Sequence, residues 1–341
     1  MKLLVSALEP SANIHLKEVL KELGDVEISG IFDDSLGEPL YSSKEFGVMG
    51  FLDVIPKIMK AKEAIDEMAF LAGDVDKVLL MDSPAFNIPL AKAIKKKYPE
   101  KEITYYILPQ VWAWKRKRVK VVEANCNNLA SILPFEPKFY NKAVYVGNPL
   151  LDEIKDVKKS VSEDKITAFL PGSRKSEIKK LMPVFREVAA KLDGEKLIAV
   201  PSYFSKKEID EIYGDLSGFE IITDAKEVLL RSSFAYVCSG TATLEAAIIG
   251  TPFVLVYKAK AIDYMIAKMF VKLKHVGLAN IIMDFLNEES VHPELLQEEV
   301  NVQNLLKYYK ELDREKFLEN SLRLRTVLKH GSAKRVADML R

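Results

Sequence analysis

Short apolar runs alternate with longer amphipathic stretches along most of the chain. In the first half, Lys2 to Ala7, Val26 to Phe32, Lys77 to Met81, Ile103 to Leu108, Leu129 to Leu133 and Val144 to Gly147 are brief and nearly unbroken apolar segments. Such runs predict strands buried on both faces, and the helical patterns between them predict crossovers, so the rhythm is that of a doubly wound parallel sheet. It lapses in the charged segment Asp152 to Lys165, then restarts with Ile166 to Leu170, Leu197 to Pro201, Phe219 to Thr223, Phe234 to Cys238 and Phe253 to Tyr257. With 341 residues, too many for one typical core, two α/β domains are expected. We assign them to residues 1–155 and 156–320, with a helix over 321–341 packing back towards the first domain.

Composition removes several classes. Lys and Arg number 50 against 49 Asp and Glu, a net charge of +1 that argues against binding nucleic acid through bulk charge. Cys126, Cys238 and four scattered histidines give neither a disulfide framework nor metal-ligand spacing, so no metal and no cofactor is expected. The first apolar run reaches Glu9 and Pro10 too early for a secretory leader, and no stretch approaches the ~18 apolar residues that span a bilayer. A cytoplasmic chain, soluble or peripheral, is the expectation.

In open α/β sheets ligands bind beyond the carboxyl ends of the strands, so the turns there hold the candidate chemistry. Leu8 to Asn13 follows the first strand, and Ser11 or Asn13 would either cap a helix opening at Ile14 or touch substrate. Asp82, in Met81 to Asn87, is a carboxylate at the end of an otherwise buried strand, either a cap for the helix begun at Pro84 or a working group. After Ile103 to Leu108 come Gln110, both tryptophans of the chain (Trp112 and Trp114) and the cations Lys115, Arg116, Lys117 and Arg118. That pattern fits a nucleic-acid platform, a membrane-interface anchor, or a helix with two core tryptophans and a solvated basic face.

Two turns in the second half suit a phosphate. Gly172 and Ser173 allow a ligand close to the backbone, and Arg174 adds a forked cation. Val237 to Glu245 runs from a strand through Ser239-Gly240-Thr241 into a helix, where the Ser/Thr pair would cap while first-turn N–H groups face an anion. Glu245, about one turn in, would take hydrogen bonds from sugar or ribose hydroxyls; an ordinary capped helix with a solvated Glu is the alternative.

Together these stretches resemble the lipid-A-disaccharide synthase family. The resemblance is carried by Gly47 to Phe51, Asp82-Ser83-Pro84 with Phe86-Asn87, Gln110 to Trp114 with its basic tail, Leu133 to Glu136, Leu170 to Arg174, Ser239 to Glu245, Val276 to Asn280 and Leu296 to Glu299, over most of the chain. The Trp-Ala-Trp loop is its most specific part. Three motifs depart from the family pattern. The usual Gly-Glu-Ala-Ser-Gly-Asp is Leu8-Glu9-Pro10-Ser11-Ala12-Asn13, the second Asp of Asp-x-Pro-Asp is Ala85, and Gly-His-Pro is Gly147-Asn148-Pro149.

The resemblance implies a GT-B fold, two Rossmann-like doubly wound domains facing across a cleft, and an inverting, metal-independent glycosyltransferase of lipid A biosynthesis. Its donor would be UDP-2,3-diacylglucosamine and its acceptor 2,3-diacylglucosamine 1-phosphate (lipid X), giving a β(1→6) tetraacyl disaccharide 1-phosphate and UDP. On this reading Asp82 is the general base and Arg174 neutralises the departing diphosphate. Gly172, Ser173, Ser239, Gly240, Thr241, Glu245, Asn280 and Gln297 would hold the nucleotide sugar. Glu9, Ser11, Met49, Phe51, Asn87, Gln110, Trp112 and Trp114 would lie on the acceptor side, and Lys115, Arg116, Lys117 and Arg118 against an anionic membrane, on the cytoplasmic face of a Gram-negative inner membrane.

Val48 to Leu52 with Val54-Ile55, and Tyr264 to Ile266 with Met269 to Val271, are apolar stretches for acyl chains or for core. A homodimer is among the expected partners and nucleic acid is not. The rival readings are a soluble nucleotide-sugar transferase or epimerase of the same fold, a nucleic-acid-binding protein, and a catalytically lapsed nucleotide-binding module.

Overall fold

The structure, a computed structural model, describes residues 1–47, 54–258 and 273–341, without the side chains of 47 and 54–58. Met49, Phe51 and the stripe from Tyr264 to Val271 lie outside the described residues. The chain divides into two compact units, Met1–Asp152 with Leu328–Arg341, and Glu153–Val327.

The first unit holds strands β1 (Lys2–Ala7), β2 (Glu27–Phe32), β3 (Tyr41–Ser42), β4 (Lys77–Met81), β5 (Ile103–Tyr106), β6 (Asn128–Ser131) and β7 (Ala143–Tyr145), in the order β3-β2-β1-β4-β5-β6-β7. The second holds β8 (Ile166–Leu170), β9 (Glu195–Ala199), β10 (Glu220–Ile222), β11 (Phe234–Cys238), β12 (Phe253–Tyr257) and β13 (Glu294–Leu296), in the order β10-β9-β8-β11-β12-β13. The pairings at the centre of each sheet are parallel, as the unbroken apolar runs predict. Central strands are sealed on both faces: Val78 to Met81 and Phe234 to Val237 expose nothing.

Two edge strands escaped the pattern, β3 with two residues and β13 with three. A segment so short has no periodicity to read, and its neighbour's ladder defines it. The C-terminal helix Ser332–Leu340 places Ala333, Val336 and Leu340 in the core shared with Leu16 and Val19 of the helix Pro10–Leu23. Tyr106 and Ser332 are joined through their hydroxyls at 2.8 Å.

Each sheet has one point where the winding reverses: β1 lies between β2 and β4, and β8 between β9 and β11. Loops diverge there, which opens a crevice at the carboxyl ends of the two central strands.

Candidate active site

At the reversal of the first sheet, Ala7 pairs with Met81 as the last residue of each strand, so the turns after β1 and β4 start side by side. An asparagine fixes each turn. Asn13 Nδ2 donates to Ala7 O (2.9 Å) and Glu9 O (3.0 Å), while its Oδ1 accepts from Asp33 N (2.7 Å). Asn87 Nδ2 donates to Met81 O and Asp82 O, both at 2.9 Å, and its Oδ1 accepts from Ser6 Oγ (2.6 Å). Tyr105 OH also donates to Asp82 O (2.7 Å). These bonds hold Asp82 and Ser83 in the left-handed region, at φ 48° and 40°, which non-glycine residues adopt at a cost of roughly 1–3 kcal/mol each.

Asp82 is therefore presented by a strained, over-determined turn. The helix Pro84–Lys97 starts at Ser83 without a side-chain cap, so the capping alternative for Asp82 falls away. Burial raises its carboxyl above the usual range, and the Ser83 backbone N–H and then the charge of His15 draw it back. Glu9 is exposed as a residue, yet its carboxyl is raised by desolvation and then by Asp82.

Several expectations for this side change. The helix after β1 opens at Pro10, not Ile14, and its cap position is Glu9, so neither Ser11 nor Asn13 caps it. Ser11 is exposed on the first turn. Asn87 is fully buried with its amide engaged on both ends, so it shapes the Asp82 turn instead of meeting an acceptor.

The residues from Val111 to Trp114 form turns, and the next helix begins only at Arg118, so the helix with two core tryptophans is not what forms. The two indoles part company. Trp112 is half-buried against Phe135 (5.3 Å, edge-on), with its Nε1–H on Glu136 (3.2 Å). Trp114 is 49% exposed with Lys115 and Arg118 over its ring at 4.2 and 5.4 Å. Lys115, Arg116 and Lys117 are exposed, Arg118 is partly buried, and Gln110 is exposed at the head of the turn. Glu136, fully buried and also bonded by Ser131 Oγ (2.7 Å), is pushed up to about 7 by burial.

At the reversal of the second sheet, Leu170 pairs with Val237, so the turns 171–174 and 238–241 are neighbours. Gly172 has φ +100°, and a Cβ there would meet the Glu177 carboxylate at 2.9 Å and Cys238 Sγ at 3.1 Å, so only glycine fits this junction. Ser173 and Arg174 are exposed, Ser173 O accepting from Tyr203 OH (2.7 Å) and Arg174 bonded to Glu177 (3.0 Å). The helix Thr241–Ile249 has Gly240 at its cap with no side-chain cap bond. The expected Ser/Thr cap is thus absent; Thr243 N–H donates to Gly240 O (3.2 Å), which leaves the N–H groups of Thr241 and Ala242 for a ligand. Ser239 is half-buried, Thr241 exposed, and Glu245 half-buried as the fifth residue of the helix.

The remaining two residues differ sharply. Asn280 is buried, its Nδ2 donating to His292 O and Glu294 Oε1 (both 2.8 Å) and its Oδ1 accepting from Val291 N (2.8 Å), so it ties the helix Leu278–Phe285 to β13 and has no group left for a nucleotide. Gln297 directly follows β13 at φ +53°, and its buried Nε2 has no partner. Strain and an unpaired donor at a strand end suit a ligand-binding residue.

Sequence reading missed His15, Glu136, Glu177 and Tyr105. Glu136 carried a signal, a lone carboxylate directly after the apolar Leu133-Pro134-Phe135. His15, whose charge draws the Asp82 carboxyl down, offered none on its own, because Asp82 lies far away in sequence.

The family model described as lipid-A-disaccharide synthetase matches residues 3–336. The lipid-A-disaccharide synthase of Campylobacter jejuni (strain RM1221) is 52% identical over 359 aligned positions, covering 99% of this chain and 98% of that protein. That of Helicobacter pylori (strain ATCC 700392 / 26695) is 51% identical, covering 98% and 97%. Among solved structures, Acinetobacter baumannii MurG aligns with TM-score 0.60 at 13% identity over 99% of this chain and 98% of that one. The UDP-GlcNAc 2-epimerase of Neisseria meningitidis bound to UDP-GlcNAc aligns with TM-score 0.59 at 12% identity over 100% and 99%. Identities this low bear on the fold, which is that of the GT-B glycosyltransferases and epimerases. The match over nearly the whole length decides the rest: this chain belongs to the lipid-A-disaccharide synthetase family.

Proposed function

We propose that this chain transfers the sugar of UDP-2,3-diacylglucosamine to the 6-hydroxyl of 2,3-diacylglucosamine 1-phosphate, releasing UDP and a β(1→6) tetraacyl disaccharide 1-phosphate. Family membership implies a nucleotide sugar and a lipid acceptor as substrates. The observation that carries the finer reading is the pair of strand-end turns at the two reversal points, one presenting a carboxylate and the other a bare helix start beside an arginine.

An α-linked donor that gives a β product is inverted, so the acceptor oxygen attacks the anomeric carbon opposite the departing UDP. Asp82 takes the hydroxyl proton as the new C–O bond forms and the bond from the anomeric carbon to the phosphate oxygen breaks. A raised carboxyl is a better base than an ordinary one, provided it remains ionised at the working pH. The electron pair leaves on the diphosphate, where Arg174 and the N–H groups at Thr241 and Ala242 oppose the developing charge. Glu245 serves the ribose, Gln297 the uracil or sugar, and Gly172, Ser173 and Ser239 shape the diphosphate seat. Glu9 and Ser11, with Gln110, belong to the acceptor side.

Among the described residues no helix is long and apolar enough to cross a membrane. Trp114 with Lys115, Arg116, Lys117 and Arg118 supports peripheral attachment to an anionic surface on the cytoplasmic side, where cations contribute about 1 kcal/mol each before screening. Neutralising those four residues should reduce co-sedimentation with anionic vesicles, most at low salt, and leave UDP affinity unchanged. Unchanged sedimentation removes the loop from the membrane. The reaction itself is tested by incubating the protein with both substrates and measuring UDP and disaccharide. Release of UDP from the donor alone, or no release with both, would overturn the assignment.

A further inference from the structure

Glu177 is the third residue of the helix Lys175–Ala189, whose cap position is Arg174. A glutamate at that station ordinarily turns back to the cap residue's backbone N–H. Here its Oε1 accepts from the cap residue's side chain, Arg174 Nη1, at 3.0 Å. The two ends of this pair lie in different surroundings, the arginine side chain 77% exposed and the glutamate side chain 10%. Behind the carboxylate the wall is close. A Cβ on Gly172 would lie 2.9 Å from Glu177 Oε2 and 3.1 Å from Cys238 Sγ, and burial, then the charge of Glu177, pushes that thiol up to about 12, so it stays neutral. The backbone that carries Arg174 is fixed as well. Arg174 O accepts from Glu177 N (2.9 Å) and Ile178 N (3.1 Å), and Ser173 O accepts from Tyr203 OH (2.7 Å). Lys175 Nζ is paired with Glu208 at 2.6 Å, on the helix capped by Ser205. What remains to be placed is the guanidinium, and Glu177 holds it by one nitrogen.

We propose that Glu177 is a positioning residue for Arg174: its carboxylate anchors one edge of the guanidinium and turns the remaining donors of the fork towards the departing diphosphate. The inference rests on the reading that Arg174 meets that diphosphate. A guanidinium presents several N–H donors in one plane, so one can be held while the others bind. An exposed arginine that is ordered only on binding loses rotamer freedom at that moment, whereas one held beforehand has lost it already. The nearly buried carboxylate in turn keeps its cation, because an unpaired buried anion is costly. The arrangement has an opposing consequence. Glu177 brings a negative charge close to a seat for anions, where it repels the diphosphate unless Arg174 compensates it. The same carboxylate should therefore help when Arg174 is present and hinder when it is absent.

The test is a double-mutant cycle read by calorimetric titration with UDP, for the wild type, Glu177→Ala, Arg174→Ala and the double variant. In the wild-type background Glu177→Ala should weaken UDP binding roughly threefold or more, within the net range of a single hydrogen bond. In the Arg174→Ala background the same change should leave the affinity unchanged or raise it. A brace that only stabilises the turn would lower affinity in both backgrounds, and that result overturns the proposal, as does a wild-type background that does not respond. Glu177→Gln fills the same space and keeps an acceptor for Arg174 Nη1. It should restore most of the affinity that alanine loses, and it carries the cycle should the alanine variants fold poorly: a fall in affinity on adding it to Arg174→Ala overturns the proposal. Arg174→Ala itself separates the two levels. If it leaves UDP affinity at the wild-type value, the diphosphate seat falls and the positioning role with it; if it weakens binding and the cycle is additive, only the positioning role falls.

Discussion

The turn after β4 and the turn after β11 occupy the same place in two similar sheets, yet they are made in opposite ways. The first is closed by side chains: Asn87, Ser6 and Tyr105 converge on it, two consecutive residues carry positive φ, and Asp82 emerges partly desolvated. The second is left open, with Gly240 exposed, no cap on the helix Thr241–Ile249, and Arg174 at the surface. Proton transfer depends on one group in one geometry with a tuned affinity for its proton, which enclosure provides. Holding a diphosphate depends on several weakly directional donors that a charged ligand can reach from water, which bare backbone provides. On the proposed function, the difference is between tuning a charge and receiving one.

Asp82→Asn breaks the enclosed side at its centre and should have the largest effect. Turnover should fall by roughly 10²–10⁴, the usual contribution of a positioned general base, while UDP affinity in calorimetric titration and thermal stability hold. Turnover within a few-fold of wild type would put the proton elsewhere and dissolve the contrast.

Glu136 sharpens the same side, being a second enclosed carboxylate in that unit. Its pKa is raised from 4.5 to about 7, so between those values the folded chain holds a proton that the unfolded chain has released. Stability from this group is complete below about 4.5 and lost as pH rises through about 7, an effect on the order of 3 kcal/mol. Glu136→Gln keeps an acceptor for Trp112 and should flatten that dependence. Both tryptophans lie in the first unit, so intrinsic fluorescence during denaturant unfolding at several pH values reads it directly. A wild type and variant that run parallel across the window would show the carboxyl to be hydrated.

Arg174→Ala breaks the open side. Its ion pair with Glu177 is exposed at the arginine end, so stability should change by no more than about 0.5 kcal/mol. UDP affinity should fall by roughly 1.5–3 kcal/mol, the scale of hydrogen bonds to charged groups. Equal losses in melting temperature and affinity would mean that the residue is structural.

How far all this can be read from the chain follows the same division. Apolar runs were enough for the central strands of both sheets, since strands sealed on both faces carry their own signal, as Val78 to Met81 does. The proposed open seat rests on local patterns, Gly172, Arg174 and Ser239-Gly240-Thr241, although the side-chain cap expected of the Ser/Thr pair does not form. The enclosed site was only half visible. Asp82 stood out as a carboxylate at a strand end, but Asn13 acquires its role only through Asp33, 20 positions on. Asn280 misled for the converse reason, a polar residue at a helix start whose amide is fully used by Val291, His292 and Glu294.

The smallest effect belongs to Thr243, whose side chain is a test of how bare the open seat is. Its hydroxyl donates to Gly240 O at 2.7 Å, alongside its own backbone N–H at 3.2 Å, so it braces the cap carbonyl and satisfies none of the first-turn donors. Thr243→Val keeps the shape of a residue that is 1% exposed and deletes that single bond. A neutral hydrogen bond contributes about 1 kcal/mol, so the second unit should lose about that much stability. UDP affinity should fall less than in Arg174→Ala, because in the proposed seat the N–H groups of Thr241 and Ala242 remain in place and only their support loosens. A loss of affinity larger than that of Arg174→Ala would mean that the seat depends on side-chain bracing after all, and the two strand ends would then differ in degree and not in kind.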